Sequence, residues 1–147
     1  MKLYHFTPTH LLDDIKIMGL TRGMIPILKS GRNGDRKEDF KVIPGYQNLT
    51  VNKAFNQSWE EQSSLPYRRN AVRITVKIPK NYRCNLFYWL RFCDAVNLNS
   101  ARVLNSYGDP ENWYVYRGKI PPKWFRAIDF RPGTLAERIG DFTQIRV

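Results

Sequence analysis

Alternation of apolar and polar residues identifies one clear strand, at residues 71–78. Every second position from 72 to 78 carries Val or Ile, and Arg, Thr or Lys lies between them until Pro79 ends the run. Successive side chains of a strand point to opposite faces, so this pattern predicts a strand with one core face and one basic face. Shorter aromatic or β-branched runs are typical of strands as well. They predict strands at residues 3–6, 49–51, 113–116 and 124–130.

A helical period follows the first of these strands. Thr7 offers a hydroxyl for an N-cap, Pro8 suits the first helical position, and Gly19 suits the C-terminal stop. The apolar residues between them recur at helical spacing, which puts one face of the helix in the core. They are Leu11, Leu12, Ile15 and Met18. The sequence therefore predicts a strand that leads into a capped amphipathic helix.

The rest of the chain predicts further helices and one long loop. Helical spacing covers residues 86–96 and a shorter segment near 100–104, and Asn52 is suited to cap a helix through Phe55 and Trp59. Residues 21–45 are rich in Gly, Lys, Arg and Asp, which predicts a surface loop that is either a functional lid or disordered. In the C-terminal tail, a small apolar seam is expected at Leu135, Ile139 and Phe142. Short strands with helices between them make the expected fold class α+β.

Length and composition favour one domain over residues 1–147. The chain is 42% hydrophobic and 14% aromatic, which is enough for a sizeable core. It has no apolar run long enough to span a bilayer, and Lys2 leads straight into a patterned strand, so we expect a cytoplasmic protein with no membrane partner. Cys84 and Cys93 have no CxxC spacing and no nearby His cluster, so we interpret them as core thiols and predict no metal site.

Two titratable residues are candidates for chemistry. Glu111 follows an Asp-Pro turn and precedes the aromatic strand at 113–116, which places a carboxylate at the end of a rigid element. His5 points to the opposite face of its strand from Tyr4 and Phe6. The ordinary alternatives are a solvated turn acid and a structural histidine bonded to backbone. The chain has no P-loop, GxGxxG or HExxH motif, so those function classes have no sequence support.

Three short motifs, in the expected order, resemble the ADP-ribosyltransferase fold. The first is Tyr4-His5-Phe6-Thr7 with a helix that closes on Met18-Gly19-Leu20; the second is Leu49-Thr50 followed by Trp59; the third is Glu111 ahead of Tyr114-Val115-Tyr116 and Ile120-Pro121-Pro122. The chain most resembles small bacterial and phage members of this fold. It is more distantly similar to the DNA-modifying DarT group, whose members also begin with a Tyr-His-Phe-Thr string. The resemblance implies an α+β core in which a split antiparallel sheet, flanked by short helices, holds NAD in a cleft.

The resemblance also implies which residues bind NAD. His5 would donate or accept a hydrogen bond at a ribose hydroxyl, and Thr7 would support the loop that follows. The backbone near Phe6 would contact the carboxamide of nicotinamide. The nicotinamide ring would stack on an aromatic side chain, either Tyr46 or Phe55.

Catalysis and the second motif involve three further residues. By resemblance, Thr50 would brace the cleft, and Glu111 would act with His5 as the catalytic pair. Glu111 would accept a hydrogen bond from the 2′-hydroxyl of the nicotinamide ribose and stabilise the positive charge that develops as the glycosidic bond breaks. Asp109 lies two residues before Glu111, where the fold commonly has Gln or Glu that selects or activates the acceptor. The resemblance therefore makes Asp109 an acceptor-binding residue.

A basic segment at residues 67–91 indicates a polyanionic partner. Between Gln62 and Cys93 there is no acidic residue, while seven Lys or Arg residues alternate with aromatic ones. Such a surface suits phosphate contact with base stacking, and the net charge of +11 favours polyanions generally. A solvated strand face is the alternative for the cations, and core packing for the aromatic residues. The residues best suited to bind an acceptor are Arg68, Arg69, Arg73 and Lys77, and the acceptor would be DNA or RNA, or an acidic protein surface.

Two functions follow from these patterns. The favoured one is an NAD-dependent ADP-ribosyltransferase, with NAD glycohydrolase as its degenerate form. It requires His5 and Glu111 to face one cleft. RNA 2′-phosphotransferase activity, which belongs to the same fold, is less favoured because its arginine-histidine set is not recognisable. The alternative function is a non-catalytic nucleic-acid-binding protein that uses residues 67–91.

Overall fold

Strands dominate the part of the chain that the computed structural model describes, residues 1–57, 67–96 and 108–132. The strands are β1 (Leu3–Thr7), β2 (Met24–Leu28), β3 (Phe40–Pro44), β4 (Tyr46–Thr50), β5 (Val72–Val76), β6 (Leu86–Tyr88), β7 (Trp113–Arg117) and β8 (Phe125–Phe130). The helices are α1 (Leu12–Met18) and α2 (Trp89–Val96), and 3₁₀ turns cover Thr9–Leu11, Lys37–Asp39, Lys80–Asn85, Pro110–Asn112 and Pro122–Trp124. The fold class is therefore α+β, as the sequence predicts.

Within the described residues, six strands form one antiparallel sheet, in the order β6-β7-β4-β1-β5-β8. The remaining two, β2 and β3, form a separate antiparallel hairpin. Because β1 lies between β4 and β5, the first strand of the sequence is at the middle of the sheet.

The predicted strand at 71–78 is confirmed as β5. It pairs with β1 over five residue pairs, from Leu3 opposite Val76 to Thr7 opposite Val72. Val72, Ile74 and Val76 are fully buried, as their alternation predicts. Full burial of a Val or Ile side chain contributes roughly 1.5–3 kcal/mol, so this strand is a large part of the core.

The main sheet packs on both of its faces. One buried cluster joins β1 and β5 to Leu12 of α1, and it includes Tyr116. A second joins Ile25 of β2 to Trp89 of α2, and it includes Val115. Adjacent residues of a strand point to opposite faces, so Val115 and Tyr116 of β7 place these clusters on opposite sides of the sheet.

The prediction of a surface loop over residues 21–45 is wrong, because most of this segment forms the β2–β3 hairpin. Met24 lies opposite Pro44 and Leu28 opposite Phe40, and the hairpin buries Ile25 against the second cluster. The connecting turn is polar but ordered around a buried carboxylate. Asp39 accepts hydrogen bonds from the backbone N–H groups of Gly34 (3.2 Å) and Arg36 (3.1 Å).

The helix after β1 is confirmed, but its predicted cap is wrong. Thr7 is the buried last residue of β1, and Pro8 continues in an extended conformation with ψ 157°, so the chain turns only from Thr9 and α1 begins at Leu12. Met18, which was expected on the core face, is 61% exposed. Gly19 ends the helix as predicted: its φ of +81° suits glycine, and its N–H donates to the carbonyl oxygen of Ile15 at 2.8 Å.

Residues 86–96 begin as a strand and not as a helix. Leu86–Tyr88 pairs with β7, with Leu86 opposite Tyr116 and Tyr88 opposite Tyr114, and the helix covers Trp89–Val96. The available strand edge of β7 thus overrides the helical spacing of the first three residues, a tertiary effect that periodicity does not contain. Of the two cysteines, Cys93 is buried as predicted, but Cys84 is exposed.

The predicted helix after Asn52 is absent from residues 51–57. The Asn52 side chain instead accepts a hydrogen bond from the N–H of Ala54 at 3.0 Å, which is a turn geometry that competes with a helix cap. The continuation of that helix through Trp59, the short helix near 100–104 and the apolar seam at Leu135, Ile139 and Phe142 lie outside the described residues.

Candidate functional site

The sheet is least closely paired between its two central strands. The β1–β4 pair has one residue pair in register, Tyr4 opposite Thr50, whereas β1–β5 and β4–β7 each have five. A cleft of about 540 Å³ opens where the two strands part. It is lined by residues of β1 from Tyr4 to Thr7 and by residues of β4 from Asn48 to Thr50.

Aromatic side chains form much of the cleft wall. Trp113 and Tyr114 of β7 and Trp89 of α2 are among the lining residues, and the rings of Trp89 and Trp113 are 6.4 Å apart between centroids. Polar groups are fewer, and they include Gln57 and Arg69. A concave, mainly apolar cavity with a few polar groups is typical of small-molecule sites.

His5 lines the cleft, and a backbone contact determines which ring nitrogen carries the proton. Its Nδ1 is 2.8 Å from the carbonyl oxygen of Asn48, and because a carbonyl only accepts, Nδ1 carries the proton. Part of the imidazole ring faces the cleft, and the surrounding chain shields most of the ring from water. This desolvation lowers the pKa of His5 below its usual value, and the bond to Asn48 raises it by less. Near neutral pH the imidazole is therefore uncharged, with Nε2 as an acceptor.

Three more of the expected NAD-binding residues line the same cleft: Phe6, Thr7 and Thr50. Thr50 is buried, and its Oγ1 accepts a hydrogen bond from the N–H of Asn52 at 3.0 Å. The structure thus brings together residues that are 43 or more positions apart, as the β1–β4 pairing requires. A smaller pocket of about 190 Å³ lies beneath α1 and shares His5 and Thr7 with the cleft.

The two expected stacking residues lie elsewhere. The ring of Tyr46 packs on Phe92 of α2, with centroids 5.4 Å apart, in the second core cluster. The ring of Phe55 contacts Phe6 edge-on at 5.8 Å and lies under the guanidinium of Arg73 at 4.7 Å. Neither ring lines the cleft. Trp113 does line the cleft, although the sequence predicts it only as a strand residue.

Glu111 lies beside the cleft but does not line it, so the expectation that His5 and Glu111 face one cleft is not met, and Glu111 has the surroundings of a solvated turn acid. It is exposed on the 3₁₀ turn Pro110–Asn112, two residues before Trp113. Its backbone is held in place, because the hydroxyl of Tyr88 donates to the Glu111 carbonyl oxygen at 2.8 Å. The N–H of Val51, next to Thr50, donates to the carbonyl oxygen of Asn112 at 3.0 Å. The turn is thus fixed next to two cleft residues while the Glu111 carboxylate stays in solvent.

Asp109 is engaged within the protein. Its Oδ2 accepts one hydrogen bond from Nδ2 of Asn52 and another from Nδ2 of Asn112, both at 2.9 Å. Sequence reasoning did not find this contact, because 57 residues separate Asn52 from Asp109. An Asn and an Asp that far apart carry no local pattern, so a covarying pair in an alignment would be the signal needed.

The four expected acceptor-binding cations are divided among different environments. Arg68 and Lys77 are exposed, and Arg69 lines the cleft. Arg73 is half-buried, with an ion pair to Asp129 at 3.3 Å and a hydrogen bond to the Lys53 carbonyl oxygen at 2.7 Å. Arg73 therefore stabilises the sheet surface, and the four residues do not form one continuous patch of free charges.

Comparison with known proteins adds no family to this description. No protein-family model, no curated protein and no solved structure matches the chain. Within the described ranges, no helix is long and apolar enough to cross a membrane.

Proposed function

We propose that this chain is an NAD-dependent ADP-ribosyltransferase that transfers ADP-ribose to a macromolecular acceptor. The observation that carries the proposal is the cleft between β1 and β4, with an uncharged His5 at its edge. A six-stranded antiparallel sheet whose central strands part around a cavity supports the split-sheet core that the resemblance implies. One part of each motif lies on a strand that borders this cavity: Tyr4-His5-Phe6-Thr7 on β1, Leu49-Thr50 on β4 and Tyr114-Val115-Tyr116 on β7.

The cleft residues suit a dinucleotide in size and chemistry. The cavity volume of about 540 Å³ lies within the roughly 300–1,000 Å³ that ligand sites span. Aromatic side chains such as Trp113 provide flat apolar surface for a base or a nicotinamide ring. The Nε2 lone pair of His5 would accept a hydrogen bond from a ribose hydroxyl. Thr50 still has a hydroxyl proton to donate, since its Oγ1 is the acceptor in its contact with Asn52.

Glu111 would supply the negative charge that the reaction needs. As the bond between the nicotinamide nitrogen and C1 of its ribose breaks, the electron pair leaves with nicotinamide and positive charge develops on the sugar. A nucleophilic atom of the acceptor bonds to that carbon and loses its proton to solvent. With water as the nucleophile the product is ADP-ribose, which is NAD hydrolysis. The Glu111 side chain must turn from solvent toward Trp113 to reach the substrate, while the Tyr88 hydroxyl holds its backbone.

Calorimetric titration of NAD, with nicotinamide release followed in the same samples, tests the proposal. We expect Glu111→Gln to bind NAD as the wild type does and to release nicotinamide about 100-fold more slowly, the usual cost of removing one electrostatic stabiliser. His5→Ala should instead weaken NAD binding by up to about 10-fold, since it removes one hydrogen bond. Glu38→Gln, the same change at an exposed position on the hairpin, is the matched control and should leave both quantities unchanged. A folded wild type that neither binds NAD nor releases nicotinamide would refute the proposal.

A non-catalytic nucleic-acid-binding protein is the second candidate, and one observation favours it. Within the basic segment at 67–91, the exposed cations are Arg68, Lys77, Lys80, Arg83 and Arg91. Exposed cations attract a phosphate backbone even where the protein forms no shaped binding site. The aromatic residues of the same segment support this candidate less, because Trp89 is in the core and the Tyr82 ring packs on Trp124 with centroids 4.9 Å apart.

A further inference from the structure

We propose that Asp109 is a positioning residue for Glu111 and not a contact for the ADP-ribose acceptor. This inference rests on the proposed function, because it concerns how the turn that carries Glu111 is held for that reaction. It also departs from the role that the resemblance implies for this position.

Asp109 joins the end of β4 to the turn that carries Glu111. One carboxylate oxygen, Oδ2, receives the side-chain N–H groups of Asn52 and Asn112, both at 2.9 Å. The Asp109 carbonyl oxygen also accepts from the N–H of Asn112 at 2.9 Å, which closes the 3₁₀ turn. Hydrogen bonds to a carboxylate are about twice as strong as neutral ones, so the Asp109 side chain adds substantially to the contacts that Tyr88 and Val51 make with the same turn.

Asn52 is in turn fixed to the cleft. Its N–H donates to Oγ1 of Thr50 and its Oδ1 accepts from the N–H of Ala54, both at 3.0 Å. A continuous chain of contacts therefore runs from Thr50, which lines the cleft, through Asn52 and Asp109 to the turn of Glu111. We call Asn52, Asp109 and Asn112 the turn clamp.

The turn needs such a clamp because it has little apolar packing of its own. Within Pro110–Asn112 no residue is buried, and Glu111 is exposed. The turn clamp fixes the backbone from which the exposed Glu111 side chain would reach the substrate, and a displacement of a catalytic group by about 1 Å can cost roughly 100-fold in rate. The two amide groups on Oδ2 fix the orientation of the Asp109 carboxylate within the protein.

Nicotinamide release into water, with no macromolecular acceptor present, separates the two roles. If Asp109 positions Glu111, Asp109→Ala should lower the rate of release by about 10- to 100-fold with little change in KM for NAD, because the substrate-binding residues on β1 are untouched. Asn52→Asp should have a similar or larger effect, since it places two carboxylates face to face. The double variant with Asn52→Asp and Asp109→Asn exchanges the two side chains. It restores one amide and one carboxylate and should recover most of the rate of nicotinamide release. Asp35→Ala, at an exposed hairpin position, is the control.

The opposite result would show that Asp109 binds the acceptor. In that case Asp109→Ala releases nicotinamide into water at the wild-type rate and lowers only the rate of transfer to an acceptor. The Asn52 variants then release nicotinamide at the wild-type rate as well. Loss of rate in both single variants without rescue by the exchange would also overturn the clamp. Circular dichroism and the thermal unfolding midpoint of each variant exclude loss of fold as the cause. A wild type that releases no nicotinamide refutes the proposed function itself. An active wild type with an unaffected Asp109→Ala variant refutes only the positioning role of Asp109.

Discussion

Protonation of His5 should make the protein less stable in mild acid. The imidazole is withdrawn from water next to the cleft, and this desolvation lowers its pKa in the folded state below the 6.5 of an unfolded chain. Between the two pKa values the unfolded chain binds more protons than the folded one. The free energy of unfolding therefore decreases as pH falls below 6.5 and becomes constant again below the folded-state pKa.

The size of the effect is limited by a single proton. A difference of one bound proton changes the free energy of unfolding by about 1.4 kcal/mol per pH unit, which is the steepest slope that His5 can contribute. The hydrogen bond from Nδ1 to the Asn48 carbonyl oxygen survives protonation, because both forms of the ring carry a proton on Nδ1. The expected loss therefore comes from desolvation of the charged ring, partly offset by that bond.

Urea unfolding between pH 4.5 and pH 8, at half-unit steps, measures this contribution. The wild type should lose stability below about pH 6.5 relative to His5→Gln, which keeps a side-chain donor but does not titrate. His10→Gln, at an exposed position, should follow the wild type. Because protonated Nε2 no longer accepts, the proposed NAD binding should weaken as pH falls through the folded-state pKa of His5, at the lower end of the range in which stability is lost. Parallel pH profiles for wild type and His5→Gln would refute the argument that His5 is held uncharged at the cleft.

Two further predictions concern the fold and the basic surface. Gly19→Ala should cost about 3–5 kcal/mol of stability in thermal or urea unfolding, because φ is +81° and the new Cβ would lie 2.1 Å from the Ile120 carbonyl oxygen. Gly31→Ala, with φ +77° and no atom within 4 Å of the new Cβ, should cost only about 1–2 kcal/mol, and equal losses would contradict the close-approach argument. The net charge of +11 predicts that single-stranded DNA or RNA binds at low salt and dissociates steeply between 50 and 200 mM, as fluorescence anisotropy would measure. Arg68→Gln and Lys77→Gln should each reduce the slope of log K against log salt by about one, and unchanged slopes would remove these residues from the binding surface.

The sequence by itself determined the elements whose side chains interact locally. The alternation in β5, the strand and helix on either side of Thr7, the Gly19 stop and the aromatic strand β7 all follow from period, turn chemistry and propensity. His5 and Glu111 were also recognisable as candidates, because each lies at a distinctive position in a short motif. These features depend on residues within one or two turns of chain, which is the range over which sequence patterns carry structural information.

The tertiary structure alone determined the contacts between segments that are far apart in the sequence. Residues 24–44 form a hairpin because Ile25 has a second core cluster to pack on, and Leu86–Tyr88 forms a strand because β7 offers an edge. The cleft exists because β1 and β4 share one residue pair and then part, and Asp109 is occupied because Asn52 lies beside it. Each outcome depends on a contact between residues far apart in the chain. Such contacts are selected by packing and hydrogen bonding across the whole fold, so no local pattern of residues encodes them.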